Sequence, residues 1–285
     1  MTTTTPSVTV LGGTGHAGRR VVRRLRHRGT PVRVGSRTGV PGFHWERPET
    51  WAPWLDGADA AFVAYTPDLA LPGADETMAA LGAEARRHRL GRLVLLSGRG
   101  EPRAARSELA LRSGGVPVTV LRSSWFAQDF SEHFLLDPVL AGILALPTAD
   151  VPEPFIDLED LADVAVEMLC RPQPADTTLE LTGPRLLSFA DAAAELSQVT
   201  GRRIEVVSVP PAEFVAGAVA AGVPPGEAAA LAELFAEVLD GRNASVSEDV
   251  ARVLGRPATD FAAFARRTAD TGAWDLPPLT DRVGA

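Results

Sequence analysis

The stretch VTVLGGTGHAGRRVVRRL, residues 8–25, decides the fold. Val8, Val10 and Leu11 make a short apolar run rich in β-branched residues, as a buried strand requires. Gly12-Gly13-Thr14-Gly15-His16-Ala17-Gly18 follows at once, with glycines spaced Gly12-x-x-Gly15-x-x-Gly18. From His16 to His27, Ala17, Val21 and Leu25 share one helical face and arginines take the other, until Gly29 stops the run. Such a turn needs positive φ angles and bare backbone, so that a pyrophosphate can approach the helix N-terminus. Gly18 lets the helix pack closely on the strand. A glycine triplet alone fits any tight βα turn. The strand before it and the helix after it make the reading one of dinucleotide binding.

Outward from this unit, short apolar runs alternate with longer amphipathic ones. Strands are expected at 7–11, 31–35, 59–65, 92–97 and 117–121, and helices at 16–27, 49–55, 77–89 and 102–112. This alternation predicts an α/β fold, a Rossmann-type doubly wound parallel sheet covered on both faces, with a small mixed α/β C-terminal lobe. In the second half a helix is expected over 155–169, entered through Asp157 as N-cap with Asp160 three residues on. A strand is expected at 179–182 and helices at 188–200, 227–239 and 261–268. The expected domains are a nucleotide-binding domain over 6–170, with substrate-lobe segments after about 125, a substrate lobe over 171–275, and a tail at 276–285.

The end of the second strand selects the dinucleotide. An NAD site places an acid there, about 20 residues past the glycines, for the ribose 2′-hydroxyl. Here Gly35-Ser36-Arg37 stands instead, with no acid before Glu46. Arg37 offers a guanidinium fork to a 2′-phosphate, with Ser36 and Thr14 as hydrogen-bond donors. The cofactor expected is NADP(H).

Composition narrows the partners. A net charge of −8 disfavours nucleic acid or an anionic membrane. Cys170 is the one cysteine, so no intrachain disulfide forms and a reducing cytoplasm is expected. MTTTTPS lacks a basic region and an apolar core, and is read as a frayed leader. The apolar run Phe214–Val223 is interrupted by Gly217 and Gly222 and is too short to span a bilayer. A small-molecule substrate, and a monomer or homodimer, are expected. All 28 basic residues are arginine, so the chain has no lysine.

The sequence resembles the NmrA-like branch of the atypical short-chain dehydrogenase/reductases. The resemblance runs through residues 8–25, RLVLLSGRG (92–100), ELALRSGGVPVTVLRSSWF (108–126), PFIDLEDLADVA (154–165) and LELTGPRLLSFADAAAELSQVTGR (179–202). GFHWERPETW (42–51) and Trp125-Phe126 look most like bacterial relatives of agroclavine dehydrogenase, an iminium-reducing enzyme. The resemblance implies NADPH-dependent reduction of quinones, enones or imines, or an NADP-binding regulator without turnover. It also places His44 and Trp45 where the family contacts adenine.

One departure matters. Short-chain dehydrogenases generally use a Tyr-x-x-x-Lys pair as proton donor. Aligning on Glu108 sets Gly100 and Ala104 at those positions, and the single tyrosine is Tyr65. Ser97 matches the family's serine and is left to orient a substrate. A positioned acid contributes about 10²–10⁴-fold in rate. Its absence hurts ketone reduction, where charge develops on oxygen. It costs little for an iminium, already cationic, or for a quinone. The expectation is an NADPH-dependent reductase of a small, largely apolar electrophile. The alternatives are a redox sensor, or a non-redox isomerase or cyclase that retains the dinucleotide.

Further candidates follow from position. Tyr65-Thr66-Pro67, just past the third strand, is expected to wall the nicotinamide side, with Tyr65 a weak candidate donor. Trp125 and Phe126 either floor an apolar pocket or serve as ordinary core aromatics. His133 is a weak candidate acid. Asp157, Glu159, Asp160 and Asp163 fit a helix cap and dipole complement better than a metal cluster, and no metal is expected. The arginines of the first helix read as a solvated face.

Overall fold

The computed structural model describes residues 6–276. Along the chain come β1 (Val8–Leu11), α1 (His16–His27), β2 (Val32–Gly35), a 3-10 turn at Pro48–Thr50, α2 (Ala52–Leu55), β3 (Ala60–Val63), α3 (Ala74–Arg87), β4 (Arg92–Gly98), α4 (Pro102–Arg112) and β5 (Val118–Ser123). Then follow α5 (Asp129–Glu132), α6 (Leu136–Ala141), β6 (Ile143–Leu146), α7 (Leu158–Cys170), β7 (Thr177–Leu181), α8 (Phe189–Thr200), β8 (Glu205–Ser208), α9 (Pro211–Ala220), α10 (Pro225–Val238), α11 (Asp249–Leu254) and α12 (Phe261–Ala269). Residues 1–5 of the leader and 277–285 of the tail read from the sequence lie outside the described residues.

Two compact units emerge. The first takes the chain up to Ser124, Leu158–Thr182 and Ser247–Ala258; the second takes Trp125–Asp157, Gly183–Val246 and the chain from Thr259. The division is thus interleaved; the sequence reading placed substrate-lobe segments after about 125 and a boundary near residue 170. Segment 171–182 belongs with the nucleotide-type sheet because β7 pairs with β5, Thr119 facing Thr177 and Ser123 facing Leu181, and 247–258 joins it where Asp249 accepts from the Glu180 amide at 2.7 Å.

The first unit is a six-stranded parallel sheet in the order β2-β1-β3-β4-β5-β7. Val8, Val10 and Leu11 have no exposed surface, as expected of a strand covered on both faces. Because β2 lies on one side of β1 and β3 on the other, right-handed crossovers send α1 and α3 to opposite faces. On one face α1 packs against α7; on the other, α3 packs against α4. The second pair approaches backbone to backbone. A Cβ on Gly82 would stand 2.5 Å from the Leu111 carbonyl oxygen, and one on Gly114 would stand 2.3 Å from the Gly82 carbonyl carbon.

The α1–α7 contact corrects the reading of the α1 arginines as a solvated face. Glu159 accepts from Arg20 Nε at 2.8 Å and Arg23 at 2.5 Å, and forms an ion pair with Arg24 at 2.6 Å. Arg24 also pairs with Asp163, and Arg28 with Glu167 at 2.5 Å. Arg256 reaches Asp160 and Asp163, each at 2.7 Å. The acids of α7 therefore hold arginines from α1 and from the segment after α11, a pairing no local pattern announces.

The second unit has a two-stranded parallel sheet of β6 and β8 beside α5, α6, α8, α9, α10 and α12. Its core is aromatic: Phe130 sits among Phe155, Phe189 and Phe261, with ring centroids 5.4, 5.9 and 5.4 Å away. α10 buries Ala228, Ala232, Phe235 and Val238, a stripe at helical spacing. The run from Phe214, read in the sequence as too short to span a bilayer, lies mostly in α9, which buries Phe214 alone. No helix among the described residues is long and apolar enough to cross a membrane.

Candidate functional site

The sheet order reverses beside β1, and in doubly wound sheets the crevice at such a switch point, beyond the strand carboxyl ends, is where ligands bind. The glycine turn lies there. Gly12 has φ +80° and its Cβ would stand 2.4 Å from the Ala64 carbonyl oxygen, at the end of β3. A Cβ on Gly18 would stand 2.2 Å from the Gly12 oxygen. These two positions are closed to any side chain. Gly15 differs, since its Cβ would meet only the Gly12 oxygen, at 3.5 Å. Thr14 and Gly15 are exposed, and Gly15 is the N-cap of α1 with no side chain to cap the helix. The first-turn amides of a helix lack intrahelical acceptors, which makes this rim a candidate anion site. His16, Ala17 and Gly18 form the first turn.

After β2, Ser36 supplies its carbonyl to the amides of Gly39 and Phe43, which shapes the loop. Arg37 is exposed and forms no ion pair or hydrogen bond among the described residues, so its fork is available to a ligand phosphate. After β3, Tyr65 is half-buried against Trp45 at 5.1 Å, with Thr66 and Pro67 exposed beyond it. Trp45 also meets Phe43 at 4.7 Å, and His44 Nδ1 stands 3.6 Å from Glu46. The 42–51 segment thus braces Tyr65. The glycine turn, Ser36, Arg37, Tyr65-Thr66-Pro67 and Ser97 all stand at the carboxyl ends of four adjacent strands, β2, β1, β3 and β4.

Ser97 is not free to orient a substrate through its proton. Its hydroxyl donates to Glu108 Oε1 at 2.7 Å. Glu108, almost fully buried, also receives both Arg122 Nε, at 3.0 Å, and a terminal Arg122 nitrogen, at 2.7 Å. These bonds and the carboxylate's charge raise the Arg122 pKa, against the opposing effect of burial. Arg99 Nε donates to Glu180 at 2.5 Å. Ser97 pairs with Arg122, and Arg122 with Glu180, in adjacent strands, so the network follows the sheet's register. Sequence reasoning missed Glu108, Arg122 and Glu180 because their partners are 11 to 81 residues away.

The remaining candidates belong to the second unit. Trp125 packs on Phe235 at 4.9 Å and on Phe189 at 6.2 Å, and stays partly exposed. Phe126 pairs with Ile156 in an isolated parallel bridge. His133 is largely exposed, with Nδ1 3.7 Å from Asp129. Asp129 is buried, and that burial pushes its carboxyl up to about 7, opposed by the Phe126 amide and reinforced by Glu132. Asp157 precedes α7 and accepts from Gln128 at 2.7 Å and from Arg267 at 2.5 Å.

A switch-point glycine nest on a six-stranded parallel sheet defines a Rossmann-type nucleotide-binding fold. No family model matches the chain. The chain is 31% identical to festuclavine dehydrogenase easG of Aspergillus fumigatus over 92% of its own length and 97% of the relative's. It is also 31% identical to the (4-alkanoyl-5-oxo-2,5-dihydrofuran-3-yl)methyl phosphate reductase of Streptomyces griseus, over 93% and 99% of the two chains. The crystal structure of NADPH-dependent quinone oxidoreductase from Escherichia coli superimposes with a TM-score of 0.78 at 16% identity, covering 91% of this chain and 99% of that one. The chain belongs to the NmrA-like, atypical short-chain dehydrogenase/reductase family and is an oxidoreductase of that type.

Proposed function

We propose that the protein is an NADP(H)-dependent reductase that passes hydride to a small, largely apolar electrophile, namely a quinone, an enone or an imine or iminium. The observation that carries this reading is the cradle: Cβ atoms would fill it at positions 12 and 18, while the rim at Gly15 stays open. The amides from Gly12 to Gly18 would hold the pyrophosphate, and unpaired Arg37 with Ser36 would hold the 2′-phosphate. Tyr65-Thr66-Pro67 would wall the nicotinamide side. When bound, NADPH supplies a hydride. The activities named for the relatives support the reductase class.

The chain's own acid–base groups set the acceptor class. There is no lysine, Tyr65 is the single tyrosine, and Ser97 gives its proton to Glu108. An iminium needs no proton when it takes hydride, and a quinone's reduced oxygens take theirs from water. The test is NADPH consumption by the purified chain across a quinone, an enone, a cyclic imine and a plain ketone. The first three should be turned over, with the ketone about 10²-fold slower or worse. Equal rates on the ketone would sink the assignment. Tight binding without consumption on any acceptor would favour a redox sensor. Arg37→Ala should weaken NADPH binding about tenfold and leave NADH binding unchanged, as titration calorimetry would read.

A further inference from the structure

Between the loop after β3 and the first turns of α4 lies a hollow of about 310 Å³, lined by Leu69, Leu71, Pro72, Asp75, Arg103 and Arg106. Ser107 Oγ donates to the Leu69 carbonyl at 2.7 Å and ties the loop to the helix. Because β3 and β4 are parallel neighbours and both loops leave from their carboxyl ends, the hollow lies toward the same end of the sheet as the glycine cradle. Arg103 and Arg106 stand three residues apart on α4, both exposed, and neither forms an ion pair or hydrogen bond among the described residues. Asp75 lines the same hollow without pairing to either of them.

Arg20, Arg24, Arg122 and Arg256, by contrast, are matched to carboxylates. Like charges at i,i+3 on a helix repel, and an anion held between them removes that repulsion. Two guanidiniums against one carboxylate leave the hollow net positive in a protein of net charge −8. The opposite wall, Leu71 and Pro72, is apolar, and Leu71 is 37% exposed. We propose that this hollow is an acid-recognising subsite of the substrate site. Arg103 and Arg106 clamp a carboxylate or phosphomonoester on the substrate, while Leu71 and Pro72 cover the apolar part next to it. The proposal rests on the reductase reading and names its substrate class: an apolar electrophile bearing an acidic group.

The test compares a neutral alkyl naphthoquinone with the same ring ending in a carboxylate and in a phosphate arm. With NADPH and the full chain, kcat/KM should favour the anionic quinones about tenfold at low salt, and the preference should shrink as ionic strength rises. Arg103→Gln/Arg106→Gln should abolish the preference, whereas Arg26→Gln, an exposed arginine on α1, should keep it. Inorganic phosphate should compete with the anionic quinones alone; stimulation of the neutral quinone by phosphate would point to an effector site and overturn the proposal. No preference in the wild type, or one that survives the double substitution, would also overturn it. Calorimetry of the same three quinones on the NADP⁺-loaded protein separates the two ideas. A binding preference lost in the double variant, with no NADPH consumed, keeps the subsite and refutes the reductase. Turnover without a preference does the reverse.

Discussion

At the scale of single residues, two glycines of one turn have opposite duties. Gly18→Ala drives a methyl into the Gly12 carbonyl, and the gain of about 1 kcal/mol in helix propensity is too small to offset the clash. Its stability should fall by about 2 kcal/mol in denaturant titration. Gly15→Ala meets almost nothing in the protein, so it should fold within about 1 kcal/mol of wild type yet lose NADPH affinity at least about tenfold. Asp129 supplies a second prediction. Its folded pKa of about 7 exceeds the ordinary value of 3.8, so its protonated form is favoured on folding. That contribution is full below about pH 4 and is lost as pH rises through 7, on the order of 2–4 kcal/mol. Asp129→Asn should therefore come nearest to wild type below about pH 4 and exceed it at pH 8. The tight backbone of the glycine turn was legible from the sequence because the conformation it needs is local. The commitment of Ser97 to Glu108 was not, because the acid lies a helix away.

At the scale of elements, α1 and α7 are joined through charge. Burial raises the Glu159 carboxyl, but the hydrogen bonds and charges of Arg24 and Arg20 outweigh it and hold the group at about 2, below its ordinary 4.5. The pairing stabilises the fold above about pH 4.5 and fades as pH falls towards 2. Glu159→Gln should cost about 2–3 kcal/mol at neutral pH, and the gap to wild type should close between pH 5 and 2 in acid titration followed by circular dichroism. The alternation of strands and helices through β5 could be read from periodicity, since parallel strands buried on both faces are continuous apolar runs. α5, α6, β6, β8, α9 and α11 escaped notice. All but the ten-residue α9 are four to six residues long, and most gain their order from aromatic packing in the second unit rather than from any local repeat. The helix entered through Asp157 starts at Leu158, as that cap implies, while Ile156 before it pairs with Trp125 and Ala127.

At the scale of the molecule, the chain passes between its units after residues 124, 157, 182, 246 and 258. A fragment ending at 170, where a sequential boundary would fall, loses β7 from the sheet edge and takes Arg256 from Asp160. It also strips Phe130 of Phe189 and Phe261. Fragment 6–170 should show neither a cooperative melt nor calorimetric NADPH binding, while the intact chain shows both. The sequence reading anticipated the crossing near 125, but the returns after 157, 182, 246 and 258 are set by long-range pairing. The bare meeting of Gly82 with Gly114 has a consequence for descent. Atomic radii, not a side chain open to drift, set the spacing of α3 and α4. Leu71, Pro72, Arg103 and Arg106 face water outside that contact. Scaffold and rim can thus be inherited separately, and lineages can trade one acceptor for another without renegotiating how the helices fit.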